Sequence, residues 1–295
     1  MDQTQGTLAA GLVAGGAASR RAEPLDLSAM LLCAPIGVFL FLLFLLPMGY
    51  VLYLSVSDPG LTLEHYRKIF STPVYTRVML GTFKTSLIVT ALSILLGYPL
   101  AYVMATRNNA LSLSLMIVVG LSFWSGFVVR TYAWLVILGA NGPVASAFKW
   151  LGADAPPKLL FNAFSSIVGM LHILLPFMVF SLYSVMKRID LGHLRTAASL
   201  GARPWSGFTE VFFPLSLPGM VNGSVLVFTS CLGFYITPML LGSPRDMMIS
   251  QLIDQQIEEL LAWGTGSALA VVLLVATLLL LWLYNRVAGL DRLWG

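Results

Sequence analysis

Charge is scarce in this chain. Of its 295 residues only 10% are Asp, Glu, Lys or Arg, whereas 58% are hydrophobic, and the mean hydropathy is +0.85. A soluble domain carries about 25% charged residues, so composition alone indicates a polytopic membrane protein. Cysteine is nearly missing: Cys33 and Cys231 both stand in apolar runs, which excludes a disulfide framework and a zinc site built on thiolates. The three histidines, His65, His172 and His193, are scattered, and no HExxH, CxxC or GxSxG element occurs. The common metal and nucleophile signatures are therefore absent, and neither a bound metal nor a catalytic residue is expected. No Gly-x-x-x-x-Gly-Lys-Ser/Thr run exists, nor any Gly followed directly by Lys, so the usual cradle for ATP phosphates is lacking.

What the chain does have is long uncharged stretches. A helix needs about 20 apolar residues to cross a bilayer, and six stretches qualify: Leu27 to Ser57, Thr85 to Thr106, Asn108 to Val129, Leu159 to Met186, Val211 to Pro244, and Leu260 to Asn285. The expected fold is all-α, with a transmembrane body over 27–290. Pro35 and Pro47 are expected to kink the first span, and Leu240 to Pro244 reads as an exit loop. Residues 1–26 carry Arg20 and Arg21 after their weakly apolar part, the reverse of a signal peptide. They read as a flexible tail.

An even number of spans puts both ends of the chain on one side. With the tails in the cytoplasm, that side holds nine basic residues: Arg20, Arg21, Arg107, Lys187, Arg188, Arg195, Arg203, Arg286 and Arg292. Six lie clearly outside, Arg67, Lys68, Arg77, Lys149, Lys158 and Arg245, with Lys84 and Arg130 near the outer interface. The bias favours cytoplasmic tails.

Between two apolar runs lies a polar stretch, 190–213. Asp190 is placed to cap a first helix, with Leu191, Leu194 and Ala198 on one face and Gly201 as its stop. Pro204 suits the first turn of a second helix, expected to run through Trp205 and Phe208 until Pro214 and Pro218 rebuild the chain for membrane entry. Ala197, Ala198 and Gly201 are small enough to admit another protein's backbone, so bulk at Ala198 or Gly201 should block that approach.

This stretch resembles the cytoplasmic coupling motif of binding-protein-dependent ABC importer permeases. Its recurring elements are matched by Ala197, Ala198, Gly201 and the Pro214, Leu217 and Pro218 group. Thr196 stands where the family usually has Glu, and offers a neutral hydrogen bond in place of a charge. The runs from Phe123 to Trp134 and from Leu232 to Ile253 resemble stretches of the spermidine/putrescine class of these type I permeases. The resemblance implies a second permease chain, two ATPase subunits that hold ATP and magnesium, and a periplasmic binding protein. It also implies a bacterial inner-membrane location, ATPase coupling through Arg195, Thr196, Ala197, Ala198 and Gly201, and no nucleic-acid partner. The solute implied is small and amine-bearing: a polyamine, or an amino-acid-like, opine or aminophosphonate compound.

Candidate path residues lie in the third to fifth spans. Counted as one helix, the 22 residues from Asn108 to Val129 span about 33 Å, which places Arg130 near the outer headgroups at little burial cost. Trp124, Tyr132 and Trp134 fit either an interfacial aromatic belt or a ligand-facing set. If they face a cavity, Trp124, Phe234 and Tyr235 can hold an amine by cation-π attraction, whereas Arg130 suits an acidic group. His172 is the one histidine deep in a span. It fits a hydrogen bond between helices, a solute contact, or a proton relay, the last being the basis of an alternative reading as an ion-coupled secondary transporter.

From Asp246 to Trp263, Ile249, Leu252, Ile253, Ile257, Leu260 and Leu261 form an apolar stripe at helical spacing. Gln251, Asp254, Gln255 and Glu258 form the opposite face. An amphipathic helix on the outer side is expected, with Asp254, Glu258 and Glu259 as docking or gate residues, or else a solvated re-entry helix.

Overall fold

A computed structural model describes residues 27–58, 60–107, 109–152 and 157–288. The expected tail, together with Arg292, lies outside them. The chain divides into two compact units, 1–51 and 52–295. Among the described residues there is helix and no strand, which agrees with the all-α expectation.

The first unit holds α1 (Leu27–Leu40), a π-helical turn over Phe41–Leu45 and the start of α2 (Leu46–Ser57). From Ala34 to Tyr50 every side chain is exposed, as suits a helix apolar on all sides. Pro35 sits inside α1. At Pro47 the chain uses the π turn: the Leu46 N–H bonds back to Phe41 O, five residues earlier. That wider turn makes room for a ring that lacks an N–H and collides with the carbonyl four residues back.

The second unit runs through α3 (Glu64–Ser71), α4 (Pro73–Thr106), α5 (Ala110–Trp124), α6 (Phe127–Ile137), α7 (Pro143–Trp150), α8 (Ala163–Met186) and α9 (Gly192–Ser199). It continues with α10 (Pro204–Ser206), a π segment Gly207–Phe212, α11 (Phe213–Leu232), α12 (Ile236–Leu241), α13 (Ile249–Asp254) with its π extension Gln255–Glu259, and α14 (Trp263–Ala288). Five helices are long and apolar enough to cross a membrane, and a bent pair, α5 with α6, makes a sixth.

The core is built on α4, α8 and α11, with Val89, Met104, Met170, Met178, Leu182, Phe212 and Val227 buried between them. In lipid no hydrophobic force draws helices together, so close backbone contact and hydrogen bonds must do it. Gly219 and Gly223, one turn apart on α11, supply the contact. A Cβ at Gly223 would lie 2.7 Å from Met178 Sδ, and one at Gly219 would lie 3.1 Å from the Ser181 carbonyl. Ser181 Oγ donates to Gly219 O at 2.9 Å across the same seam. A second cluster, Ile69, Tyr75, Ile249, Leu252, Ala268 and Leu269, joins α3, α4, α13 and α14.

Three boundaries differ from expectation. The second span begins at Pro73, twelve residues before Thr85, because a helix can carry Arg77 and Lys84 beyond the apolar zone. The expected single helix over Asn108 to Val129 is broken: α5 ends at Trp124 and the chain turns by 102° into α6. The Ser125-Gly126 pair is the break, a sequence that commonly kinks helices. Finally, Pro214 and Pro218 do not interrupt the chain, since α10, the π segment and α11 run on as one candidate span, Pro204–Leu232. Here again the residue before the proline bonds five back, Phe213 N–H to Phe208 O. That span ends at Gly233, and α12 folds back against α6 and α8, so Leu240 belongs to a short packed helix and only Gly242 to Pro244 to the exit.

Candidate functional site: the coupling segment and the bent span

The polar stretch folds as a short helix held at both ends. Asp190 Oδ1 accepts from Gly192 N at 2.7 Å across the turn that leads into α9, but the N-cap position itself is Leu191, which makes no side-chain cap, one residue later than expected. At the other end Gly201 adopts φ +89°, while Gly201 N reaches Ala198 O and Ala202 N reaches Ala197 O, each at 3.0 Å. This pair of bonds around a left-handed glycine is the Schellman stop. Leu191 and Leu194 pack against the core, joined by a half-buried Ala197. Ala198 is exposed, unlike Leu191 and Leu194, with which it was expected to share a face. Beneath the helix lies an aromatic cluster: Tyr102 meets Phe208 and Phe212 edge-on at 5.7 and 5.0 Å, and Tyr98 meets Phe208 at 6.1 Å.

Arg195, Thr196, Ala198 and Ser199 are exposed, with Leu200 83% and Trp205 73% accessible. The last two are the parts of this surface that the sequence reading did not single out. The Thr196 hydroxyl donates to Gly192 O at 3.1 Å, so it serves its own helix and presents no charge. At Gly201 a Cβ would meet nothing within 4 Å. Within this chain a bulky residue there is therefore strained by the backbone angle and not by crowding from its own neighbours.

On the far side of the break, the bend is pinned by side chains. Trp134 Nε1 on α6 donates to His172 Nδ1 on α8 at 3.0 Å, and His172 Nε2 lies 3.4 Å from Ser122 Oγ on α5. With Nδ1 an acceptor, the neutral ring carries its proton on Nε2 and donates it to Ser122. Thr131 Oγ1 lies 2.9 Å from Thr237 Oγ1, which ties α6 to α12. His172 and Trp134 therefore act between helices, while Tyr132 stands exposed on α6.

The break leaves a cavity of about 400 Å³ lined by residues that include Trp124, Ser125, Gly126, Phe127, Arg130, Phe177, Ser230 and Phe234. Arg130 is 9% exposed, where a straight third span would have put it at the headgroups. α5 has 15 residues, about 22 Å of helix, and the chain turns sideways before Arg130, so the guanidinium sits among helices. Trp124 is 88% exposed at the cavity's edge. Phe127 and Phe234 also line an adjoining cavity of about 280 Å³ with Tyr235. The Tyr235 hydroxyl donates to Asp254 Oδ2 at 2.8 Å, and that bond to a carboxylate pushes the phenol's pKa up. Trp124, Arg130, Phe234 and Tyr235 are thus brought together, whereas Tyr132, Trp134 and His172 are not part of the lining. Phe127 and Phe177 were missed, and the Ser125-Gly126 pair was the available signal.

The outer helix forms as expected over Ile249 to Glu259, but its apolar stripe is shorter. Ile249 and Leu252 are buried, with the Ile249 N–H bonded to Thr82 Oγ1 at 2.9 Å. Leu260 and Leu261 are exposed, because the helix ends there and Leu261 turns to φ +51°. Gln256 is buried, Asp254 holds Tyr235, and Glu258 and Glu259 face outward.

Comparison with known proteins agrees with this architecture. The family model described as binding-protein-dependent transport system inner membrane component matches residues 97–289. The spermidine/putrescine transport system permease protein PotB of Escherichia coli (strain K12) is 30% identical over 230 residues, covering 78% of this chain and 83% of that protein. The PotB of Haemophilus influenzae is 31% identical over 227 residues, covering 77% of this chain and 79% of its own. Among solved structures, a chain of the bacterial alginate ABC transporter in complex with alginate pentasaccharide-bound periplasmic protein superposes with a TM-score of 0.72 at 19% identity. That match covers 88% of this chain and 92% of the other.

Proposed function

Because this chain belongs to the family of binding-protein-dependent transport system inner membrane components, and is thus a permease subunit of an ABC importer, we propose that it carries a small amine-bearing organic solute inward across a bacterial inner membrane. The solute class is supported by relatives named for spermidine and putrescine and by the aromatic lining of the two adjoining cavities, whose ring faces attract cations. The full machine comprises a second, homologous permease chain, two ATPase subunits on the cytoplasmic face and a periplasmic binding protein that delivers the solute. ATP and magnesium are held by the ATPases. Both termini of this chain lie in the cytoplasm.

The observation that carries this reading is the capped helix Gly192–Ser199 with its exposed Ala198, Leu200 and Trp205. It packs against the π segment Gly207–Phe212 at the root of α11, whose Phe208 and Phe212 in turn meet Tyr102 of α4 edge-on. A displacement of this helix by the closing ATPases is passed straight into two of the three central helices. The spans then rock between inward-open and outward-open states, with the outer helix and its Asp254, Glu258 and Glu259 as part of the outer gate.

Reconstitution tests the assignment. The chain alone in liposomes should be inert, and the assembled importer should take up solute only with ATP. Ala198→Trp, which adds bulk to an exposed position, should lower ATPase stimulation at least tenfold while leaving membrane insertion intact. Gradient-driven uptake by the isolated chain without ATP would overturn the importer reading.

A further inference from the structure

Arg130 is a buried cation with nothing opposite it. It is 9% exposed, its Nε has no hydrogen-bond partner, and its Nη1 makes only a 3.5 Å approach to the Ile173 carbonyl. Among the described residues no carboxylate pairs with it. A charge in that position is expensive unless something neutralises it. The guanidinium lines the 400 Å³ cavity at the break, and a second positive feature adjoins it. Gly126, the N-cap of the 11-residue α6, gives no side-chain cap, so the first-turn N–H groups are left open beside the cavity with the positive end of the helix dipole.

The other end of the space is aromatic and uncharged. Phe127 and Phe234 continue into the adjoining cavity with Tyr235, whose hydroxyl is bonded to Asp254. We propose that this space receives a solute bearing an acidic group as well as an amine. A carboxylate or phosphonate docks on Arg130 and the open turn of α6, and the ammonium lies against the Phe234 and Tyr235 rings, whose faces attract cations. The inference rests on the importer reading and narrows its amine-bearing solute to an amino-acid-like one. A charge-assisted, two-pronged contact to a guanidinium is the strongest polar recognition this lining offers.

Putrescine and γ-aminobutyrate form a matched pair of probes, since one has an ammonium where the other has a carboxylate. The full chain in lipid nanodiscs, titrated calorimetrically, should bind γ-aminobutyrate at least tenfold more tightly than putrescine. Arg130→Gln should abolish that difference and Arg130→Lys should keep part of it. Equal binding, preference for putrescine, binding of neither, or selectivity unchanged in Arg130→Gln would each overturn the proposal. Thermal melting separates a binding role from a structural one: Arg130→Gln should melt at or above the wild-type temperature, because it removes an unpaired buried charge, and a lower melting temperature would assign the guanidinium to the fold. In the assembled importer, ATP-driven uptake of putrescine unaffected by Arg130→Gln would sink this inference and leave the importer reading standing. Absence of ATP-driven uptake for every solute would instead remove the importer reading.

Discussion

Gly201 shows how one backbone angle can hold a transmission element in place. With φ at +89°, any L-residue with a Cβ is strained there by about 1–2 kcal/mol, although the space around it is open. Gly201→Ala should therefore fray the end of the helix Gly192–Ser199 and reduce ATPase stimulation several-fold, and Gly201→Asn should do so less, because Asn tolerates this region. Equal effects of the two would point to lost space in place of lost geometry. The His172 ring is a second single-residue device. Replacing Trp134 by Phe removes the donor at 3.0 Å and leaves a half-buried acceptor without its protein partner, at about 1 kcal/mol. The expected result is a lower melting temperature in nanodiscs, with Trp134→Phe more costly than Tyr132→Phe, whose side chain is exposed.

Among elements, α11 explains how this protein combines proline with a continuous helix. A π turn ending two residues before Pro214 absorbs the missing bond, and the same device precedes Pro47. The helix then meets α8 through Gly219 and Gly223, where a side chain has no room. Gly223→Leu should force α8 and α11 apart and destabilise the chain by about 1–3 kcal/mol, the usual cost of overpacking. Gly81→Leu, at a position with nothing within 4 Å of its Cβ, should leave the melting temperature nearly unchanged. Similar losses at both sites would argue against the close seam.

For the molecule as a whole, the proposed topology places both termini and the segment 192–199 on the cytoplasmic side. Cys33 and Cys231 are its only cysteines, so a cysteine-free background is two substitutions away. In that background Leu200→Cys should react with a membrane-impermeant maleimide only from the cytoplasmic side, and Glu258→Cys only from outside. Reversed labelling would invert the topology.

The apolar runs determined by themselves that the chain is an all-helical membrane protein with about six crossings, because the bilayer demands that length of uncharged helix and no other pattern supplies it. The short helix and its Gly201 stop were equally legible, since a glycine stop is local chemistry written in neighbouring residues, whereas its start fell one residue later, at Leu191. Hydropathy carries no record of direction, however. An uncharged run from Asn108 to Val129 reads the same whether straight or turned by 102°, so the position of Arg130 was left to the packing of α6 against α8 and α12. Likewise, Ala198 and Ala197 are equivalent in composition, and only the packing of α9 against the π segment 207–212 decides which of them faces out. The two adjoining cavities that gather Trp124, Arg130, Phe234 and Tyr235 are a product of two helix breaks, at 125–126 and at 233–235, brought side by side by contacts between residues more than a hundred positions apart, such as Thr131 with Thr237. Contacts of that range belong to the tertiary structure alone.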